Sequence, residues 1–309
     1  MKLHSHLYRQ GAVTHCYQRT VNGFLIFYTV SDFLVFYTLV CTLARKYRIR
    51  LYKICLMPDH YHLAFSAGSF QDMERFIQAV VSRFTKAQNK VLGRTGALWE
   101  SPFGYAPKFK SKSVKSLFIY IDNNPVERQL CKKAEEYRWN FLAYAISDHP
   151  FSRKMNRSRE RKDLRYMLDG IDRLYASGKS PGYDFLDYHF PRLDVEEKRV
   201  ATDYIIHKYS VVDYEASIRF FGSYKQMLTA IHSTSGNEYD IHEVFTGRDD
   251  RVYRTISQLL TRITGIDDIH RIIALPLPER ERLFQTISKM TDFRLDQAAK
   301  YLRIPRLYS

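Results

Sequence analysis

The order of its apolar patterns is what most limits the folds open to this chain. Ala12 to Thr20 has strand character and is followed by the turn signal Asn22-Gly23. From Ser31-Asp32, which can cap a helix, to about Tyr47, the residues Phe33, Phe36, Tyr37, Val40 and Leu43 recur at helical spacing. Ile49 to Met57 is a buried-strand run, Pro58-Asp59 a turn, and His60 to Ser66 the returning strand. Asp72 opens a second helix to about Leu92, with Phe76, Val80 and Phe84 on one face and Gly93 and Gly96 as breakers. Phe103 to Lys110 predicts a further strand, which Pro107 confines to an edge or a bulge. Ser113 caps a third helix through about Asn123, with Pro125 as its stop. Strand, helix, strand, strand, helix, strand is the split β-α-β order of a ferredoxin-like α+β sandwich.

The second half has a different texture. Arg153 to Arg165 is a dense charged run, read as a linker or an exposed basic helix start and better explained as a solvated face than as a specific DNA contact. From about Leu164 the pattern is helical, with loops at Ser177 to Tyr183 and Ser233 to Tyr239. The expected organisation is therefore residues 1–150 as the α+β domain and 151–309 as a mainly helical region. Leu295 to Ile304 resembles the first helix of a helix-turn-helix, with Ala298-Ala299 at the tight crossing and Pro305 at the turn. No recognition helix fits before Ser309, so a DNA-docking or oligomerisation module, or a plain helical bundle, is expected instead.

Charge sharpens the contrast between the halves. The formal net charge is +15. Met1 to Pro150 holds 21 Lys and Arg against 10 Asp and Glu, whereas Phe151 to Ser309 holds 27 against 23. A polyanionic partner is thus expected mainly on the first half. The 23 Tyr and 20 Phe include more rings than base stacking can use, so most are expected in the core. Cys16, Cys41, Cys55 and Cys131 are widely spaced, which excludes a disulfide scaffold or a zinc knuckle. No run of about 18 uncharged apolar residues occurs and no apolar signal core opens the sequence, so a cytoplasmic chain without membrane contact is expected.

The sharpest chemical feature is His60-Tyr61-His62. On a strand, residues two apart share a face, so both imidazoles can bind one divalent metal while Tyr61 packs behind them. Two structural or surface histidines fit the same pattern. Tyr120, near the end of its helix, is a phenol that can attack a phosphodiester polarised by a metal. Asn124 stands one helical turn further on the same face, where its amide oxygen can be a third metal contact. Spacing alone does not single out Tyr120 among the tyrosines.

Four segments together carry a resemblance. Leu56 to Phe65 (LMPDHYHLAF), Gly93 to Tyr105 (GRTGALWESPFGY), Tyr120 to Leu130 (YIDNNPVERQL) and Glu135 to Ala145 (EEYRWNFLAYA) occur in the order and at the distances seen in the single-tyrosine HUH transposases. The chain most resembles the branch of REP-associated tyrosine transposases, over about residues 9 to 147. The resemblance implies a ferredoxin-like fold, Mg²⁺ or Mn²⁺ held by His60 and His62, and Tyr120 as nucleophile. Asn124 carries over less directly, because the third ligand varies within the family.

Further expectations follow from that family. The substrate is single-stranded DNA with adjacent hairpins or palindromes, cut through a 5′-phosphotyrosine intermediate by a monomer or homodimer. Arg83, Lys86, Lys108, Lys110 and Lys112 are candidates for the DNA track. The alternative is a host-tamed protein that processes or regulates repeated palindromes without transposition. Asp59, Asp122-Asn123 and Trp139-Asn140-Phe141 depart from the family's usual residues, and the last leaves a DNA or packing contact open.

Overall fold

A computed structural model describes residues 8–233, 249–290 and 295–305 of the chain. The first half runs β1 (Val13–Arg19), α1 (Val30–Lys46), β2 (Arg50–Met57), β3 (His60–Ser66), α2 (Phe70–Val91), β4 (Gly104–Lys108) and α3 (Ser111–Glu127). The four strands form one antiparallel sheet in the order β2-β3-β1-β4. That order, with a helix crossing after β1 and another after β3, is the ferredoxin-like α+β arrangement the pattern predicts. β4 lies at the sheet edge, where Pro107 costs no inner ladder bond.

Period-two alternation gives the sheet two unlike faces. Cys16, Tyr61, Leu63 and Phe65 face α1 and α2 and join a large apolar core. Val13, Cys55, Met57 and Ala64 face the other way, under Leu117, Phe118, Tyr120 and Ile121 of α3. A buried ion pair ties α3 to the sheet, Lys53 Nζ to Asp122 Oδ2 at 2.6 Å. Asp122 thus sets a buried carboxylate on the sheet side of α3, the helix that carries Tyr120.

Several helix limits differ from the expected ones: α2 starts at Phe70 behind the cap Ser69 rather than at Asp72, and α3 at Ser111 rather than behind Ser113. The N-cap of α1 is Thr29, and Asp32 closes a capping box from inside the first turn. Pro125 does not stop α3, which continues to Glu127. The ring removes one hydrogen bond in the last turn. Burial of Ile121, Asp122, Asn123 and Asn124 and the bonds from Arg128 N to Asn124 O and Leu130 N to Pro125 O keep the turn closed.

The second half is helical: α4 (Lys162–Ala176), α5 (Tyr183–His189), α6 (Val195–Tyr209), α7 (Tyr214–Arg219), α8 (Tyr224–His232), α9 (Val252–Thr264), α10 (Ile269–Ile273), α11 (Leu277–Met290) and α12 (Leu295–Tyr301). The expected loop at Ser233 to Tyr239 falls almost wholly outside the described residues. Packing does not pause at residue 150. α6 lies on α1, with Tyr37 OH donating to Ile206 O, and one apolar core runs from Cys16 to Tyr209. Every residue of α1 from Ser31 to Cys41 is buried, which a helix exposed on its outer side would not show.

The charged run from Arg153 is not a free basic face. Arg153 pairs with Glu160, Arg157 with Asp169 and Asp172, and Arg161 with Glu197. α9 to α12 form a small bundle with its own core, which also takes in Leu25 and Leu92. α12 packs on α9 and α11, with Ala298 buried in that core. Among the described residues no helix is long and apolar enough to cross a membrane.

Candidate active site

The Pro58-Asp59 turn fixes where the histidine pair begins. Its carbonyls accept from Ile26 N and Thr20 N, so the turn is held from two sides. β3 then points His60 and His62 to the α3 side while Tyr61 enters the opposite core against Phe36 and Trp99. The two imidazoles meet edge to face, with centroids 4.9 Å apart.

Each ring has one nitrogen already committed. His60 Nδ1 bonds Asp59 Oδ1 at 2.6 Å. His62 Nδ1 bonds His15 Nε2 at 3.0 Å, from the neighbouring strand β1. Commitment of Nδ1 leaves Nε2 as the nitrogen turned to the site, and outer partners of this kind orient metal-binding histidines. His62 Nε2 is buried without a hydrogen-bond partner among the described residues. A neutral imidazole is what a metal needs, and the surroundings enforce it. Burial, then the His60, His15, Arg19 and Arg128 charges, holds His62 well below the ordinary histidine range. Burial, with Lys108 adding repulsion, lowers His15 to about 3.

α3 brings the phenol to this pair. The Tyr120 ring lies edge-on to His62, with centroids 5.4 Å apart, and to His15 at 5.8 Å. Asn124, one turn on, is buried, and its Oδ1 has no partner among the described residues. Two orphaned buried atoms, one nitrogen and one amide oxygen, are the donor types a divalent ion takes up. Among the described residues no cluster of three His, Cys, Asp or Glu stands ready as a complete metal cage.

Tyr17 extends the ring cluster from β1, with its centroid 5.1 Å from that of His15. Its partner across the ladder is Gly104, and a Cβ there would stand 2.3 Å from the Tyr17 ring. Only glycine admits this crossing.

The five basic candidates separate. Lys108 closes β4, and exposed Lys110 and Lys112 begin α3, on the side of the histidines. Arg83 and Lys86 are exposed on α2, across the sheet. The structure does not bring these two groups together. Trp139 and Phe141 stack on Phe33 and Tyr37, at 4.3 Å and 4.2 Å, and Asn140 donates to Ala134 O. The altered Trp-Asn-Phe segment is thus a packing element.

Sequence reading missed His15 and Asp59 as partners of the pair. Alternation in β1 does put His15, Tyr17 and Arg19 on one face, but which strand they adjoin is set by register, which pairs Tyr17 with His62.

Comparison with known families bears on this region. A family model described as "Transposase IS200 like" matches residues 27–124, a stretch that includes His60, His62, Tyr120 and Asn124. That stretch is similar to the IS200-like transposase family. The IS200-like segment covers about a third of the chain and excludes β1, and so His15, and everything after α3's last turn. No curated protein matches the chain. One solved structure, of a REP-associated tyrosine transposase bound to a REP hairpin, is similar at 15% identity and a TM-score of 0.42, over 47% of this chain and 86% of that one. That likeness is partial, and the fold is read from the strand order β2-β3-β1-β4, whose β1 lies outside the matched stretch.

Proposed function

We propose that the chain is a metal-dependent single-stranded DNA endonuclease and strand transferase with Tyr120 as its nucleophile, of the REP-associated type. The observation that carries this reading is the Tyr120 ring packed against His62, some sixty positions away in sequence, on the one sheet face that also holds His60. His60, His62 and Asn124 would hold Mg²⁺ or Mn²⁺. A divalent ion there supplies Lewis-acid polarisation of a phosphate and stabilises the charge that develops on its oxygens.

The chain's own groups do the rest. The Tyr120 oxygen bonds to phosphorus and the bond from phosphorus to the 3′-oxygen breaks. The 3′-oxygen takes up a proton as the phenol loses one. The products are a 5′-phosphotyrosine and a free 3′-hydroxyl. Attack by another 3′-hydroxyl reverses the step, so strands exchange without ATP. Asp59 and His15 orient His60 and His62, and the Lys53–Asp122 pair anchors the helix that carries the phenol. Lys108, Lys110 and Lys112 suit a strand approaching Tyr120, with Arg83 and Lys86 on a separate stretch across the sheet. Within this reading residues 1–150 carry the chemistry and the helical region 151–309 supports and covers it. The substrate is single-stranded DNA next to a hairpin.

The test is covalent capture. Full-length protein with Mn²⁺ and hairpin-bearing single-stranded oligonucleotides should give a protein–DNA adduct that survives SDS. Tyr120→Phe should give none, with noncovalent binding kept. An adduct of undiminished yield from Tyr120→Phe would overturn the assignment.

A further inference from the structure

Outside this site, the chain gathers three arginines with no carboxylate ion pair among the described residues, Glu281 alone acting on Arg280 from a distance. A cavity of about 280 Å³ lies between the IS200-like segment and the terminal bundle. Its wall includes Arg94 from the loop after α2, Arg280 from α11 and Arg303 just after α12. Among the described residues no Asp or Glu lines it. Three of the four arginines between 153 and 161 show the contrast, since Arg153, Arg157 and Arg161 each have a carboxylate partner.

The guanidinium groups here are held by neutral acceptors. Arg280 donates to the carbonyls of Leu275, Leu302 and Arg303. Arg303, 7% exposed, donates to Leu25 O, Tyr28 OH and Gln88 Oε1. Its Nη1 is buried without a partner among the described residues. Among the described residues the Arg94 side chain donates only to Ala97 O, at 3.5 Å. Burial and mutual repulsion lower the basicity of Arg94 and Arg280. Converging like charges with a spare buried donor are costly unless an anion joins them.

We propose that this cavity is a binding site for a phosphate-type oxyanion, held by Arg94, Arg280 and Arg303. Guanidinium forks suit phosphate oxygens, and the spare Arg303 donor supplies a bond that the protein itself leaves unmade. The group comes from a DNA phosphodiester or from free phosphate. Position favours the phosphodiester: cavity residues Thr20 and Ile26 bond the very turn, Pro58-Asp59, that leads into His60. A phosphate seated here would join the terminal bundle to that turn. The site takes an oxyanion whether or not Tyr120 is a nucleophile.

Arg94 is the residue to change, because it carries the least internal bonding. Inorganic phosphate titrated into the full chain, with sulfate and chloride as comparisons, should raise the melting temperature and give a saturable calorimetric signal. Arg94→Gln should weaken that binding about tenfold or more, and Arg94→Lys should restore part of it. Anisotropy with a hairpinned oligonucleotide then separates the sources. For a phosphodiester, Arg94→Gln weakens DNA binding, lowers the salt slope by about one, and inorganic phosphate competes. For free phosphate, DNA binding does not change while phosphate binding is lost. Equal binding of phosphate and of DNA by Arg94→Gln and the parent would overturn the proposal. A chain that binds phosphate here but forms no adduct would leave the cavity site standing and sink the nuclease reading.

Discussion

The two faces of the sheet obey different rules. Toward α1 and α2, Cys16, Tyr61, Leu63 and Phe65 enter a close-packed apolar core with Phe36, Phe84 and Trp99. Toward α3, the same two central strands bury His15, His60 and His62 beside Tyr120, with a nitrogen of His62 unsatisfied. One face maximises stability. The other keeps polar groups dry at a cost in stability, the mark of a face shaped by something other than folding.

Paired substitutions test that division most strongly. Phe65→Ala should cost about 3–5 kcal/mol in urea unfolding, yet leave adduct yield per folded molecule intact. His62→Ala should do the reverse, losing about a thousandfold in cleavage rate, the several kcal/mol of charge stabilisation a metal supplies, with a much smaller change in unfolding. Equal effects of both changes on both measurements would erase the distinction between the faces. A smaller effect is expected one step out from the histidine pair. Asp59→Ala should weaken Mn²⁺ binding about 10–100-fold by freeing His60 to turn, and Asp59→Asn, which keeps an acceptor, should weaken it less. Calorimetric titration of Mn²⁺ reads both.

The smallest effect is on stability against pH. His15 is held neutral, its value lowered from 6.5 to about 3. Between those limits the unfolded chain binds the proton and the folded chain does not. Stability is therefore complete above about pH 6.5 and declines as pH falls toward 3, by up to about 1.4 kcal/mol per pH unit for such a group. Melting curves of metal-free protein should show that slope, and His15→Gln should flatten it. A slope unchanged by His15→Gln would mean that the imidazole is not kept neutral by its burial.

Much of this arrangement was legible before folding, though unevenly. β3 begins and ends where the alternation put it, and His60 and His62 share a face because strands repeat every two residues. Proximity of Tyr120 came from resemblance alone, since nothing in a helix's own periodicity says which strand it covers. His15 was hidden by register, a property of strand pairs rather than of single strands. Pro125 misled because a proline in a last turn forfeits little when its neighbours are buried. In the second half the basic run was visible, but its partners Asp169, Asp172 and Glu197 lie on other helices and only the fold introduces them.

The all-round burial of α1 has a consequence for how such a gene can change. Asp203 of α6 accepts from Tyr144 OH and pairs with Arg138, so the second half is bolted to the first through both. A truncation near codon 150 would encode a helix apolar on every side with water on one of them. Its product would be insoluble before it was inactive. The two halves are therefore expected to stand or fall together as a folding unit.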